Sequence, residues 1–197
     1  MNREKIVCIG DSLTAGYGIP TKHRWTDLLG NNLSIDIINS GISGDTTAGM
    51  LARFYQMAIQ HKPNYIIITG GTNDISLNIS NNHIISNILA MTRYAKHHDI
   101  IPIIGIPTPI FDPENSAIDP LLINGYNFSK RINVFQKTLK QFSKDDNQKI
   151  VDFTANMTSN LFLEDGIHPN KLGHKQMAKN ALESNLNFTS AYLNHNE

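Results

Sequence analysis

Short runs rich in isoleucine and valine recur along the chain and are separated by longer amphipathic stretches. Several runs are apolar at consecutive positions, which is typical of strands buried on both faces of a parallel sheet rather than of half-exposed strands. We therefore predict five parallel strands, with approximate bounds 5–10, 34–39, 65–70, 100–106 and 149–153.

Apolar residues in the intervening segments follow helical spacing and form stripes that we expect to pack against the sheet. The stripes are Met50, Phe54, Met57 and Ala58; Ile84, Ile88, Met91 and Ala95; and Phe128, Ile132, Phe135, Leu139 and Phe142. A last predicted helix, over about 171–186, places Met177, Ala178, Ala181 and Leu182 inward. The alternation of strand and helix predicts an α/β fold with right-handed crossovers and helices on both faces of the sheet.

Length and charge narrow the class of protein. The chain has 197 residues, which suits one domain over 1–197 with a polar tail from about 187. Its 17 basic and 17 acidic residues cancel, so we expect no nucleic-acid partner.

The single cysteine, Cys8, lies in an apolar run and is expected to be a buried thiol. No apolar run reaches membrane-span length and no signal-peptide core is evident, so we predict a cytoplasmic location.

Polar loops rich in glycine follow the predicted strands. "GDSLTAG" follows the first strand, "NSGISGDTT" the second and "GGTND" the third, while "EDGIHPN" comes after the fifth. Ligands of open α/β sheets bind beyond the carboxyl ends of the strands. We therefore expect these four loops to converge on one edge of the sheet and to form a site there.

Ser12 and His168 are candidates for nucleophilic chemistry in these loops. Ser12 lies in a tight turn from strand to helix, where it is either a helix N-cap or a nucleophile. His168 differs from the other seven histidines because Asp165 precedes it in one short loop that Pro169 stiffens. An aspartate in that place can hold an imidazole in one tautomer, as a general base requires.

Gly44 and Asn73 are candidates for binding a developing negative charge. A glycine lets a backbone N–H approach a substrate oxygen closely, and an asparagine amide donates hydrogen bonds without ionising. Their positions after the second and third predicted strands place them at the same sheet edge as Ser12. We predict that they contribute to an oxyanion hole.

Asp11, Asp45 and Asp74 leave two interpretations open. Three acidic residues near strand ends could hold Mg²⁺, yet each lies beside a glycine in a tight turn, where carboxylates often accept backbone N–H bonds. The chain has no Cys/His ligand cluster and no HExxH motif, and we predict no metal site.

The segment 107–125 contains four prolines and an unusual number of apolar residues for a loop: Ile110, Phe111, Ile118, Leu121 and Leu122. It follows Ile106 at the end of the fourth predicted strand, so it starts at the edge of the candidate site. These side chains either line a pocket for an acyl chain or fold back into the core, and the sequence leaves both open.

The four blocks "GDSLTAG", "NSGISGDTT", "GGTND" and "DGIHPN" resemble, in order, those of the SGNH or GDSL hydrolases, and they span residues 10–170. The resemblance implies a flavodoxin-like three-layer α/β/α fold and no cofactor. It further implies that Ser12 is the nucleophile, that His168 is the general base and that Asp165 orients it. The implied oxyanion hole consists of the Ser12 N–H, the Gly44 N–H and the Asn73 side chain.

The resemblance implies hydrolysis of a small-molecule carboxylic ester or thioester, in the manner of the acyl-thioesterase and lysophospholipase-like branch. One alternative is a carbohydrate O-acetylesterase that uses the same residues. Another is a nucleotide-binding flavodoxin-like module, although the chain lacks the GxxxxGK[ST] and GxGxxG patterns. The oligomeric state and the acyl-chain preference cannot be predicted from the sequence.

Overall fold

The computed structural model describes residues 4–111, 128–184 and 186. The strands are β1 (Lys5–Gly10), β2 (Asp36–Gly41), β3 (Tyr65–Thr69), β4 (Ile101–Ile106) and β5 (Lys149–Asp152). The α-helices are α1 (Ser12–Ala15), α2 (Trp25–Leu33), α3 (Thr47–Met57), α4 (Thr72–Ser76), α5 (Asn81–His97), α6 (Phe128–Asp145) and α7 (Lys171–Leu182). Short 3₁₀ helices cover Thr21–His23, Ile59–His61 and Ser159–Leu161.

The five strands form one parallel sheet in the order β2-β1-β3-β4-β5, which confirms the predicted sheet and the α/β class. In the register of the sheet, Gly10 at the end of β1 lies beside Gly41 of β2 and Thr69 of β3. Because all strands run the same way, the loops after β1, β2 and β3 emerge side by side at one edge.

Helices cover both faces of the sheet, because side chains along each strand point alternately to opposite sides. One core joins Val7, Ile9, Ile66, Ile68 and Ile104 to residues of α3, α5 and α6. The other joins Ile6, Cys8, Ile67, Ile103 and Val151 to residues of α2 and α7. The fold is therefore the three-layer α/β/α arrangement that the resemblance implied.

The predicted strands and helical stripes match the structure, with small corrections. β2 is shifted by two residues from the predicted 34–39, because an edge strand with mostly half-exposed residues gives a weak apolar signal. The last helix ends at Leu182 rather than near 186, and Leu182, which we expected inward, is 38% exposed. Leu186 packs into the core in its place. None of the helices in the described part of the chain is both long and apolar enough to span a bilayer.

Helix α2 was not predicted, because "WTDLLGNNL" contains a glycine and two asparagines that have low helix propensity. Tertiary packing forms it nonetheless: Trp25 and Leu29 are fully buried, and the Trp25 indole donates a hydrogen bond of 3.1 Å to the Leu13 carbonyl. This bond ties α2 to the short helix that begins with Ser12. Helix α2 therefore helps to hold in place the short helix α1, which carries Ser12.

His174 lies on α7 and is buried against α2. Its Nδ1 accepts a hydrogen bond of 3.2 Å from the Trp25 backbone N–H, so the ring is held neutral with its proton on Nε2. Burial, together with electrostatic interactions with Arg24 and His168, lowers the pKa of His174 to about 4. In mildly acidic solution His174 is therefore protonated in the unfolded chain but neutral in the folded protein.

The His174→Asn variant is expected to lack part of the loss of stability that the wild type shows on acidification. Between the ordinary pKa of 6.5 and the folded pKa of about 4, the unfolded state binds the extra proton, so wild-type stability falls as the pH is lowered through this window. The loss attributable to His174 is about 3 kcal/mol at its limit, at 1.36 kcal/mol per pKa unit. An asparagine Oδ1 can still accept from Trp25, but it does not titrate.

The measurement is urea unfolding of both proteins between pH 7 and pH 4. Burial also raises the pKa of Asp11 to about 7, which opposes the effect of His174 in the same window, so the difference between the proteins is the proper readout. A difference that stayed constant with pH would show that His174 does not carry this effect.

Candidate active site

The candidate site lies at the carboxyl edge of the sheet, around the end of β1. β2 and β3 flank β1 on either side, so the segments after them, which carry Gly44 and Asn73, flank the segment that carries Ser12. The loop that carries Asp165 and His168 leads from β5 into α7 and returns to Ser12 through a side-chain contact. The four sequence blocks are thus brought together as expected.

Ser12 is the first residue of α1, and Asp11, rather than Ser12, caps that helix. The Asp11 carboxylate accepts the Leu13 N–H at 2.9 Å, and Gly16 ends the helix in a left-handed conformation. This arrangement removes the N-cap interpretation of Ser12. It also leaves the Ser12 N–H at a helix start, where the helix itself supplies no acceptor.

Close packing around Gly10 fixes the path of the chain into Ser12. A Cβ at this position would lie 2.2 Å from Thr14 Oγ1 and 2.6 Å from the Thr69 carbonyl oxygen. Any side chain would therefore force β1 and α1 apart. Ser12 itself is only 8% exposed, so its hydroxyl lies in a confined position rather than on an open surface.

His168 joins Ser12 to Asp165 through both ring nitrogens. Its Nε2 lies 2.9 Å from Ser12 Oγ, and its Nδ1 lies 2.6 Å from Asp165 Oδ2. Since a carboxylate can only accept, the proton of the neutral ring belongs on Nδ1 and Nε2 is free to accept from the serine hydroxyl. This is the geometry of a nucleophile, base and orienting acid.

The turn at 165–168 is built around the Asp165 carboxylate. Asp165 Oδ1 accepts the backbone N–H groups of Ile167 and His168, both at 2.9 Å, and Gly166 between them has a φ of 64°. Partial burial of Asp165 favours its neutral form, but the bonds from the His168 backbone and ring and from Ile167 outweigh it and lower the pKa of the carboxyl. In neutral solution Asp165 is therefore a carboxylate, and its negative charge faces the imidazole of His168.

Gly44 lies in the loop after β2 and Asn73 in the first turn of α4, and a hydrogen bond connects these two segments. Asn73 Nδ2 donates to the main-chain oxygen of Asp45 at 2.9 Å, so one amide hydrogen is used, and among the residues that the structure describes the other has no acceptor. Gly44 has a φ of 81°, and a Cβ there would meet no atom within 4 Å. The glycine is thus required by its backbone conformation rather than by lack of space.

Asp11, Asp45 and Asp74 each have a partner within the protein. Asp11 accepts the N–H of Leu13 within its own turn, as the turn interpretation expected, whereas Asp74 lies in α4 and accepts from both the N–H and the hydroxyl of the distant Thr47. Asp45 differs, because it forms an ion pair of 2.7 Å with Arg53. Within residues 4–111, 128–184 and 186, no group of three or more His, Cys, Asp or Glu side chains is arranged to hold a metal.

Two residues near the site were missed by the sequence reasoning. The ring of Tyr17 lies against that of His168, with centroids 4.4 Å apart, and Tyr17 is 53% exposed. Arg53 lies on α3 and donates hydrogen bonds to Gly10 at the end of β1 and to Asp45 in the loop after β2. The only sequence signal for Tyr17 was its position directly after the "GDSLTAG" block, and Arg53 looked like one of many surface cations.

The start of the segment 107–125 borders the site through its backbone. The Phe111 N–H donates to the Gly166 carbonyl at 2.9 Å, and a Cβ on Gly166 would lie 1.8 Å from the Phe111 carbonyl oxygen. Its side chains pack inward: Ile110 is buried in one core, and the Phe111 ring packs on Phe162 in the other. For these two residues the core alternative therefore fits. Ile118, Leu121 and Leu122 lie outside the described residues.

The Ile110→Ala variant is expected to destabilise the fold by about 2–4 kcal/mol, because it leaves a cavity in a packed core. Its relative rates on short and long acyl esters should remain those of the wild type. Chemical denaturation and a chain-length series on the same preparation measure both. Unchanged stability with an altered chain-length preference would instead identify Ile110 as part of a substrate pocket.

Comparison with known proteins agrees with this geometry. Residues 8–176 match the model of the GDSL-like lipase/acylhydrolase family. The chain belongs to this family, which confirms the resemblance drawn from the four blocks.

Individual relatives match over shorter stretches. An arylesterase of Vibrio mimicus is 43% identical over 76 residues, which are 36% of this chain and 38% of the relative. Thioesterase 1/protease 1/lysophospholipase L1 of Escherichia coli (strain K12) is 34% identical over 73 residues, 36% of this chain and 35% of the relative. The matched stretches thus span little more than a third of either relative.

A solved structure of the same family shares the fold over nearly the whole length of this chain. The structure of a lipolytic protein of the G-D-S-L family from Desulfitobacterium hafniense superposes with a TM-score of 0.78 at 26% identity. The superposition covers 91% of this chain and 98% of that chain.

Proposed function

We propose that this protein hydrolyses small-molecule carboxylic esters or thioesters through an acyl-enzyme formed on Ser12. The observation that carries the proposal is the unbroken line of hydrogen bonds from Ser12 Oγ to His168 Nε2, at 2.9 Å, and from His168 Nδ1 to Asp165, at 2.6 Å. A serine hydroxyl is a weak nucleophile alone and needs a base within such a distance.

In the first half of the reaction, Ser12 Oγ attacks the carbonyl carbon while His168 Nε2 takes the hydroxyl proton. The tetrahedral intermediate then collapses, the bond from carbon to the leaving oxygen or sulfur breaks, and His168 returns the proton to the leaving group. In the second half, a water attacks the acyl-Ser12 ester, His168 accepts its proton, and the acid is released as Ser12 regains its hydrogen.

Asp165 has a positioning and electrostatic role in this scheme. Its Oδ2 fixes the imidazole with Nε2 facing Ser12, and its negative charge stabilises the imidazolium present in each tetrahedral intermediate. The two backbone bonds to Oδ1 hold the carboxylate in place. The turn at 165–168 therefore supplies the base and the carboxylate that orients it as one preformed unit.

The oxyanion of each intermediate is proposed to bind between the Ser12 N–H, the Gly44 N–H and the free hydrogen of the Asn73 amide. These donors follow β1, β2 and β3, which are neighbours in the sheet. Neutral donors fixed by the fold stabilise the charge without reorganising during the reaction, and each is typically worth about 10²–10³ in rate.

The substrate class is proposed from family membership and from what its members are called. The matched relatives are named as an arylesterase and as a thioesterase and lysophospholipase, which supports acyl esters and thioesters. A carbohydrate O-acetylesterase would use the same residues and stays a second prediction. The triad contacts favour either hydrolase over a nucleotide-binding module, which would have no use for a serine–histidine–aspartate line.

We further propose that residues 1–197 form one hydrolase domain; the predicted polar tail from about 187 lies outside the described residues. The cytoplasmic location also stays a prediction.

Turnover measurements test the proposed function. Purified protein should hydrolyse p-nitrophenyl esters and acyl thioesters of graded chain length, with no added metal or cofactor. Acetylated sugars in the same panel separate the carbohydrate alternative, which would favour them over simple acyl esters. If no member of the panel is hydrolysed above the rate of a Ser12→Ala preparation, the proposed function is wrong.

A further inference from the structure

Arg53 connects the ends of β1 and β2 and the loop that follows β2 through one guanidinium group. Its Nε donates to Asp45 Oδ2 at 2.7 Å, its Nη1 to the Ser40 carbonyl at 2.8 Å and its Nη2 to the Gly10 carbonyl at 3.0 Å. The side chain is only 14% exposed, and that of Asp45 only 12%. A cation and a carboxylate this far from water are costly to bury unless their partners are well arranged.

The three acceptors belong to the segments that carry the proposed oxyanion donors. Gly10 lies two residues before Ser12, Ser40 lies at the end of β2, and Asp45 directly follows Gly44. Gly10 and Gly41 are also partners in the sheet register, so Arg53 braces the ends of β1 and β2 where the loops leave the sheet. The planar fork of an arginine suits three acceptors in fixed directions, which a lysine ammonium on a flexible stem does not.

Asp45 connects Arg53 to the Asn73 amide. The side chain of Asp45 accepts from Arg53, while its main-chain oxygen accepts from Asn73 Nδ2 at 2.9 Å. The orientation of the Asp45 peptide thus decides which way the second Asn73 hydrogen points. A rotation of Asp45 would move both the neighbouring Gly44 N–H and the Asn73 amide.

We propose that Arg53 is a positioning residue for the oxyanion hole, acting through Asp45 on Gly44 and Asn73. This inference rests on the proposed hydrolase function. Arg53 does not touch the reacting atoms; it fixes the direction of donors that are needed most in the transition state. Small displacements of such donors cost about 10²-fold in rate.

The first test compares Arg53→Lys and Arg53→Gln with the wild type on a p-nitrophenyl ester. We expect kcat to fall by about 10- to 100-fold with KM changed by no more than about threefold, because the donors act mainly on the transition state. Arg93→Gln is the matched control, since Arg93 forms an arginine–aspartate pair with Asp146 that connects α5 to the end of α6. The control should keep wild-type kcat.

A double-variant cycle separates positioning from general structural support. If Arg53 acts through the Asn73 amide, Arg53→Gln should lower kcat much less in an Asn73→Ala background than in the wild type. Equal losses in both backgrounds, or a kcat that returns to wild type once each variant is fully folded at lower temperature, would overturn the inference.

If neither Arg53 variant folds, Asp45→Ala takes its place, because it removes the carboxylate and keeps the main-chain oxygen. The same drop in kcat and the same non-additivity with Asn73→Ala are expected, and an unchanged kcat would overturn the inference. Wild-type protein without esterase activity would contradict the proposed function itself, so the two failures are distinguishable.

Discussion

Replacement of Ser12 by alanine is expected to reduce kcat on any ester or thioester substrate by about 10⁶-fold, to the background rate. The variant lacks the only atom that forms the acyl-enzyme in the proposed mechanism, although the oxyanion donors and Asp165 remain. The fold should persist, because one hydroxyl is lost from a turn that Asp11, Gly10 and Gly16 define. We expect the stability to change by no more than about 1 kcal/mol.

Steady-state assays and thermal melts of Ser12→Ala are best run beside Ser86→Ala. Ser86 is an exposed serine on α5 whose hydroxyl bonds to the Asn82 carbonyl of its own helix, so its loss should alter neither rate nor melt appreciably. Near-wild-type turnover by Ser12→Ala would mean that the hydrolysis proceeds without the proposed nucleophile.

Replacement of His168 by alanine is expected to lower kcat by about 10⁶-fold, as much as the loss of Ser12 does, with KM much less affected. Without the imidazole, no group accepts the Ser12 proton or returns it to the leaving group. Nucleophile and base act as one unit, so a Ser12→Ala/His168→Ala protein should be no slower than either single variant.

His83→Ala provides the control for His168→Ala, because His83 is exposed in the first turn of α5. It should retain wild-type rates. Independent, multiplicative losses from Ser12→Ala and His168→Ala would contradict a shared proton transfer, and so would a His168→Ala enzyme that loses only substrate affinity.

The sheet could be predicted from the sequence because its strands carry their signal locally. The run "YIIIT" is apolar at every position except the last and is buried at every position. The edge strand β2 was predicted two residues too early and helix α2 was not predicted, since half-exposed residues in one and low-propensity residues in the other give weak periodicity. Helix α2 forms because Trp25 and Leu29 pack into a core whose other members only the folded chain brings together.

The candidate site was predictable to the extent that its residues lie in short blocks at strand ends. Ser12, Asp165 and His168 meet as expected, although Ser12 and His168 are 156 positions apart. Arg53 could not have been found in this way, because two of its three acceptors are main-chain oxygens. Such oxygens have no residue type, so no spacing in the sequence indicates that an arginine will bind them.

Covalent labelling tests the central claim most directly. A fluorophosphonate reacts with a serine activated by a neighbouring base and stays attached, so mass spectrometry of the intact protein and of its peptides locates the nucleophile. We expect one adduct per chain, on the peptide that contains Ser12, and none on Ser12→Ala. An adduct on another residue, or an unlabelled protein that still hydrolyses esters, would contradict the proposed mechanism.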